Sequence, residues 1–341
     1  MIGSATQNGV RVSITGLGCH VPDRVLTNDE LSTMVDTSDE WIIERTGIRE
    51  RRIAAPEEAL SDVCLPAAEQ ALDTAGARAE DVDLLIVATI TPDMAFPSTG
   101  AILADRLGAK DAAAYDLSAG CTGFMYAIAQ AHGMVAAGLA KKTLVVGGDV
   151  LSKIMNWNDR STCVLFGDGA GAVVLERVQD GGFLGFELGA DGAGGKDLSL
   201  PAGGSRLPST AETIANGANF VHMNGREVFK FATRVLVSSA EAVLAECDAT
   251  VDDVDVYVPH QANVRIIDHA AKKLGFPKEK VVVNVDRFGN TSSGSIPLAL
   301  ADAAADGMLE PGSLVLMTGM GAGLTWGSAL IEWTNDVRQA R

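Results

Sequence analysis

Asp116-Leu-Ser-Ala-Gly-Cys-Thr-Gly-Phe124 is the stretch that decides how this chain folds. It closes a β-type run, Ala112 to Leu117, and leads into a long apolar segment, Phe124 to Ala140. A segment apolar on nearly all sides predicts a buried helix rather than a surface one. Ala119, Gly120 and Gly123 are small enough to let backbone approach a ligand. Cys121 stands where the strand gives way to the helix, and the positive end of the helix dipole there favours thiolate. Cysteine is also among the most buried residue types and is usually inert. The thiol therefore gains meaning only from partners elsewhere in the chain.

Working outward, strands and helices alternate. Val12 to Gly16 reads as a strand, Pro22 to Thr27 as a turn and Asn28 to Met34 as a short capped helix. Asp39 to Gly47 mixes helix and loop, and Ser61 to Ala75 has helical periodicity. Asp83 to Ile90 is a short apolar strand, Thr99 to Leu107 a helix, and Thr143 to Val146 a strand after the buried helix. The order then recurs. Leu84-Leu-Ile-Val-Ala matches Val254-Asp-Val-Tyr-Val at an offset of 170 (254 − 84), and Leu144 matches Leu314 at the same offset. The strand from Val12 falls on Gly182-Phe-Leu-Gly-Phe, and the helix from Leu65 on Val235 to Glu246. Such an offset predicts two similar α/β halves, divided as 10–180 and 181–341, with mostly buried sheets.

Composition narrows the function. The 47% hydrophobic content supplies a large core, while a formal charge of −17 argues against general nucleic-acid binding. No apolar run approaches the roughly 20 residues of a membrane-spanning helix. Met1 to Gly9 lacks the basic and apolar regions of a signal peptide. The five cysteines (19, 64, 121, 163 and 247) are scattered without a C-x-x-C pair. That spacing suits neither a disulfide framework nor a metal site. The expectation is a reduced, cytoplasmic protein without a membrane or nucleic-acid partner.

In parallel sheets, ligands bind beyond the carboxyl ends of strands. Cys121, His260 in Val-Pro-His-Gln-Ala-Asn and Asn290 in Phe-Gly-Asn-Thr-Ser-Ser-Gly all follow such ends. Thiolate, imidazole and carboxamide are the residue types of acyl transfer. Gly-Met-Gly-Ala-Gly (319–323) follows an apolar strand, and its backbone N–H groups, with that of Cys121, could form an oxyanion hole. Asn beside Gly is also ordinary turn chemistry. Ala190 to Asp197 departs from a phosphate-binding loop at both diagnostic positions, and no G-x-S-x-G is present. A papain-like hydrolase also uses Cys, His and Asn, but a Cys opening a buried central helix does not suit that fold.

Six motifs then occur together and in order: Val-Asp-Thr-Ser-Asp-Glu-Trp-Ile (35–42), Arg-Thr-Gly-Ile-Arg-Glu-Arg (45–51), Ala-Gly-Cys-Thr-Gly-Phe (119–124), Phe-Gly-Asp-Gly-Ala-Gly-Ala (166–172), Pro-His-Gln-Ala-Asn (259–263) and Gly-Asn-Thr-Ser (289–292). With these, the chain from Val12 to Trp333 closely resembles β-ketoacyl-acyl-carrier-protein synthase III, the initiating condensing enzyme of type II fatty acid synthesis. The resemblance implies a thiolase fold, two similar halves in five α-β-α-β-α layers, and a homodimer. It implies that Cys121 takes an acyl group from acyl-CoA, usually acetyl-CoA. Malonyl-acyl-carrier protein then loses CO2 and its enolate attacks the thioester, with His260 and Asn290 binding the enolate oxygen. The oxyanion hole would be the backbone N–H groups of Cys121 and Ala322. Coenzyme A is a substrate, and neither cofactor nor metal is implied.

By the same resemblance, Trp41 stacks on adenine, with Arg45, Thr46 and Arg160 around the base and phosphates. Gly225 and Asn263 lie along the pantetheine arm. Lys230, Arg265, Lys272 and Lys273 match the docking face for the acidic carrier protein. Phe96 matches a residue that crosses the dimer interface to close the partner's acyl pocket. Met320 stands where relatives often carry Phe, so it is expected to alter the depth of that pocket. Related condensing enzymes of secondary metabolism or alkene synthesis share the fold and the three catalytic residues.

Overall fold

The computed structural model describes residues 2–4 and 9–334. Two five-stranded sheets form its frame. The first runs Arg11–His20, Gly169–Val178, Lys142–Asp149, Leu84–Ala88, Ala113–Leu117 across the sheet. Leu84–Ala88 pairs in parallel with both of its neighbours, and the other pairs are antiparallel. The second runs Ile2–Ser4, Gly182–Ala190, Thr325–Glu332, Leu314–Gly321, Val256–Pro259. Its one parallel pair is Val256–Pro259 with Leu314–Gly321. Four strands thus take the same order in each sheet. The fifth place of the first sheet, held by Ala113–Leu117, is reduced in the second to a single parallel bridge between Tyr257 and Val281. The strand at Ile2–Ser4 was not foreseen from the sequence, and the last residues of the expected second half, 335–341, lie outside the described residues.

Alternation along the strands sorts side chains into layers. Ile86 and Val145 face inward to a core shared with Val258, Val315 and Met317 of the second sheet. Between the sheets lie the helices Gly123–Ala136 and Ser295–Ala305, which bury Phe124, Ile128, Ala131, Ile296, Leu300 and Ala303. Leu85, Val87, Leu144 and Val146 face outward, under the helices Leu60–Ala75 and Thr99–Leu107. Tyr257, Leu316 and Leu330 do likewise under Gly225–Glu246 and Val264–Leu274. The result is five layers, α-β-α-β-α. Each fully buried aliphatic side chain contributes roughly 1.5–3 kcal/mol, so the doubly covered middle layer is the energetic centre.

Small residues set the layer spacing. A Cβ on Gly16 or Gly18 would strike the carbonyl oxygens of Ala71 and Ala67, so the helix Leu60–Ala75 sits directly on the first strand. His132 crosses layers too, its ring packing 5.3 Å from that of Phe186 and 5.9 Å from that of Phe183. Its Nε2 has no partner, and burial pushes its pKa down to about 4.

The segment Pro22 to Thr27 corrects the sequence reading. Arg24–Thr27 is a strand paired with Glu50–Ile53, because a pairing partner 23 to 29 residues away outweighs the local turn signal. Behind it, fully buried Arg51 donates to Leu26 O, Asn28 Oδ1 and Val164 O, tying this ribbon to the run that precedes Phe166. No helix among the described residues is long and apolar enough to cross a membrane.

Candidate active site

Cys121 occupies a single 3-10 turn, Gly120–Thr122, at the head of the central helix. Two close backbone approaches put it there. A Cβ on Gly321 would lie 2.5 Å from Cys121 N, and one on Gly120 (φ +58°) would lie 2.7 Å from Ala322 O. Glycine at both positions lets the two segments meet, and the N–H groups of Cys121 and Ala322 are directed at the sulfur. Thr325 Oγ1 locks the junction, 2.9 Å from Ala119 O, 3.0 Å from Ala322 O and 3.0 Å from Thr122 Oγ1. Ala322 avoids the left-handed region, so alanine is unstrained there. The glycine-rich run is not a free loop. Gly319, Met320 and Gly321 continue the strand and pair with Gly327, Trp326 and Thr325, which leaves Ala322 to supply the donor.

Burial outweighs the helix dipole at the thiol. Cys121 is buried, and desolvation, with Asp149 adding to it, pushes its pKa up to about 11. The Ser292 hydroxyl and the two backbone N–H groups act in the opposite direction. The sequence-based expectation of a dipole-activated thiolate therefore does not hold for the resting thiol.

His260 follows the strand Val256–Pro259 and is 1% exposed. Burial lowers its pKa to about 4, so it is neutral at physiological pH. Its Nδ1 lies 2.5 Å from Ser295 Oγ, which also receives the Gln261 N–H at 3.4 Å. Where the Ser295 hydroxyl donates to Nδ1, the imidazole proton lies on Nε2. That nitrogen has no protein partner. Asn290 is fixed just as firmly. Its backbone bridges to Phe166, with Asn290 N donating to Leu165 O and Gly167 N to Asn290 O. Its Oδ1 accepts the Ser292 N–H at 2.9 Å, which leaves Nδ2 as the free donor.

Cys121, His260 and Asn290 line one cavity of about 170 Å3, although they come from different layers and different halves of the chain. Gly225, Asn263 and Met320 line it as well. A second, almost wholly apolar cavity of about 150 Å3 opens on the other side of Cys121, between Ile90, Leu151, Ile154, Leu200 and Val221. Leu198 and Phe166 wall both cavities. One chamber thus presents polar donors to the sulfur and the other offers room for an aliphatic chain.

This division of chambers is accompanied by long-range sequence agreement. The family model for 3-oxoacyl-[acyl-carrier-protein] synthase III matches residues 115–192, and the model for its C-terminal part matches 244–333. The chain is 54% identical over 326 residues to the β-ketoacyl-[acyl-carrier-protein] synthase III of Desulfitobacterium hafniense, covering 95% of this chain and 98% of that one. It is 57% identical over 323 residues to the enzyme of that name from Symbiobacterium thermophilum, covering 94% and 98%. The chain belongs to the β-ketoacyl-acyl-carrier-protein synthase III family. The solved synthase III of Thermus thermophilus superposes with a TM-score of 0.88 at 50% identity, over 94% of this chain and 99% of that one. The five layers are the thiolase fold, and this synthase is an acyltransferase.

The remaining positions singled out in the synthase sequence fall in four places. The guanidinium groups of Arg45 and Arg160 lie 4.7 Å and 5.2 Å from the centroid of the half-buried Trp41 ring. Asn263 caps the helix Val264–Leu274 through Arg265 N and donates to Arg45 O at 3.1 Å, linking mouth to cavity. Thr46 is buried, and its hydroxyl is spent on Ile42 O and Ile48 N, so that side chain supports the wall and does not face the opening. Lys230 and Arg265 are exposed on adjacent helices, joined by Arg265 stacking 5.5 Å over Phe229; Lys272 follows Arg265 by two turns on one face, with Lys273 beside it.

Phe96 is 84% exposed and lines neither chamber of its own chain. Met320 lines the polar chamber with His260 and Asn290. Sequence reading also missed Asp149, Ser292 and Ser295. Asp149 Oδ1 accepts from Thr89, Ile90 and Thr91, while Oδ2 accepts from Ser293 Oγ at 2.8 Å. It thereby fastens the Asn290 loop to the first sheet. An acidic residue ending an otherwise apolar strand was the available signal.

Proposed function

We propose that this chain carries out the initiating condensation of type II fatty acid synthesis, joining an acyl-CoA primer to malonyl-acyl-carrier protein. The convergence of Cys121, His260 and Asn290 on one cavity carries the reading. Cys121 sulfur attacks the thioester carbonyl, and the oxyanion is met by the N–H groups of Cys121 and Ala322. CoA leaves as the free thiol, and the acyl chain lies in the apolar chamber. Malonyl-acyl-carrier protein then fills the polar chamber. As CO2 departs, charge builds on its thioester oxygen, where His260 Nε2–H and Asn290 Nδ2–H donate. The enolate carbon attacks the acyl-Cys121 carbonyl and the carbon–sulfur bond to Cys121 breaks, giving 3-oxoacyl-acyl-carrier protein and a thiolate that takes a proton from solvent. A neutral imidazole suits a donor that must not give up its proton. The steps use thiol, imidazole, amide and backbone donors, without a cofactor or metal.

The Arg45–Trp41–Arg160 stack at the mouth suits the adenine and phosphates of CoA, with Thr46 supporting it and Gly225 and Asn263 along the pantetheine path. Lys230, Arg265, Lys272 and Lys273 form the docking face for the acidic carrier protein, steering association against a chain of net charge −17. The edge strand Ala113–Leu117, with exposed Phe96 and Met94 near it in sequence, supports a homodimer in which Phe96 closes the partner's acyl chamber. The units 10–180 and 181–341 serve as the two halves of each subunit, working in the cytoplasm, where the five free thiols persist.

The test is incubation with an acyl-CoA and malonyl-acyl-carrier protein. Release of CO2 with a 3-oxoacyl product is expected; hydrolysis of the acyl-CoA alone would support a hydrolase instead.

A further inference from the structure

Ser292 has an environment that its place in a turn-rich loop does not account for. Among the described residues, only Asp248 and Ser292 hold positive φ without being glycine, and both stand at +53°. Asp248 is exposed just beyond the helix Gly225–Glu246, where a short polar side chain tolerates this conformation. Ser292 is fully buried. Strain of this kind persists only where the surroundings enforce it, and it gathers at functional sites. The surroundings are identifiable: Asn290 Oδ1 holds the Ser292 N–H, and the next residue, Ser293, is bonded to Asp149 and to Ala88 O.

The side chain that this backbone presents has no hydrogen-bond partner in the resting site. An unpaired buried hydroxyl is costly. It lines the apolar chamber with Cys121 and Ala322, whereas His260 and Asn290 line only the polar one.

We propose that Ser292 is a further catalytic residue of the acylation half-reaction, its hydroxyl, unpartnered in the resting site, turning to donate a hydrogen bond to the Cys121 sulfur as the thiolate forms. This rests on the acyl-transfer reading of the site. The hydroxyl keeps its own proton. The Cys121 sulfur–carbon bond forms, the carbon–sulfur bond to CoA breaks, and the proton lost by Cys121 ends on the CoA thiol. The groups acting on the thiol agree: Ser292 and the N–H groups of Cys121 and Ala322 favour thiolate, while burial and the Asp149 carboxylate oppose it. His260 faces the sulfur's polar chamber as a neutral ring. The positive φ thus sets the N–H on Asn290 and leaves the hydroxyl in the chamber that Cys121 also lines.

The experiment is the pH dependence of Cys121 alkylation by iodoacetamide, followed by intact mass, with the rate of acylation by acetyl-CoA at neutral pH. Ser292→Ala and Ser292→Gly are compared with the wild type. Glycine adopts the native φ freely and lacks the hydroxymethyl group, so it decides the matter should alanine disturb folding. Both variants are expected to move the alkylation midpoint up by about one unit and to slow acylation about tenfold. A glycine variant with the wild-type midpoint and acylation rate would overturn the proposal, because a purely conformational role survives that change. If acyl-CoA fails to acylate even the wild type, the acyl-transfer reading itself fails. If wild type condenses normally and glycine matches it, the Ser292 role alone is lost.

Discussion

Ser295 Oγ lies 2.5 Å from His260 Nδ1, and a hydroxyl that donates there places the imidazole proton on Nε2, facing the cavity. Both side chains are buried, so water does not replace the bond when it is lost. Ser295→Ala frees the ring to adopt the other tautomer, which turns an acceptor toward the malonyl oxygen. Condensation is expected to fall by about 10- to 100-fold, the scale of one hydrogen bond to a reacting group. Acylation of Cys121 by acyl-CoA should change less than about threefold. Separate assays of the two half-reactions check this.

Gly321→Ala tests the backbone junction. The added Cβ would lie 2.5 Å from Cys121 N and 3.1 Å from Cys121 Cα, both backbone atoms that cannot rotate away. The segments must separate, carrying the Ala322 N–H off the sulfur. Acylation should drop by at least about 100-fold, as for removal of one oxyanion donor. Pre-steady-state acyl transfer, beside a thermal midpoint that reports any loss of fold, measures it.

The two α/β halves were legible in the sequence because they rest on alternation and on an offset repeat, whereas the five-layer order came from the family resemblance. Leu84–Ala88 and Lys142–Asp149 show it: their apolar runs could be read as buried strands without knowing what covers them. Cys121, His260 and Asn290 could be found by residue type and position after strands. Ser295, Asp149 and Ser292 could not, since their roles come from partners 35 to 144 residues away or from one dihedral angle. The thiol's pKa was misjudged because a dipole is visible in sequence and desolvation is not.

Acid should destabilise the fold through its buried histidines. His132 and His260 are held near pKa 4, against an ordinary value near 6.5. Between those values the unfolded chain binds protons that the native one refuses. This contribution is therefore fully present above pH 6.5 and is lost as pH falls toward 4. At pH 5 each group costs about 2 kcal/mol relative to neutral pH. His132→Leu removes one of them without touching the site. Its thermal midpoint should fall less than the wild type's between pH 7.5 and 5, with condensation activity kept.

The apolar chamber limits the primer. A cavity of about 150 Å3 is the size that holds a six-carbon hydrocarbon ring. Acylation should therefore proceed with acetyl-CoA and with chains up to about six carbons, and fall steeply by ten. Ile154→Phe, which fills the chamber, should retain acetyl transfer and lose the longer primers. A panel of acyl-CoA thioesters, read by the mass of acylated protein, checks both.

The account assigns acyl capture to Cys121 and enolate binding to His260 and Asn290 at one shared cavity. A two-stage experiment separates these tasks: acyl-CoA is added first, the acylated protein is weighed, and malonyl-acyl-carrier protein follows. Wild type should gain one acyl group on Cys121 and then discharge it as 3-oxoacyl-acyl-carrier protein with one CO2. Asn290→Ala should gain the acyl group and retain it. An acyl group that never appears on Cys121, or one that Asn290→Ala passes on at the wild-type rate, would contradict the account.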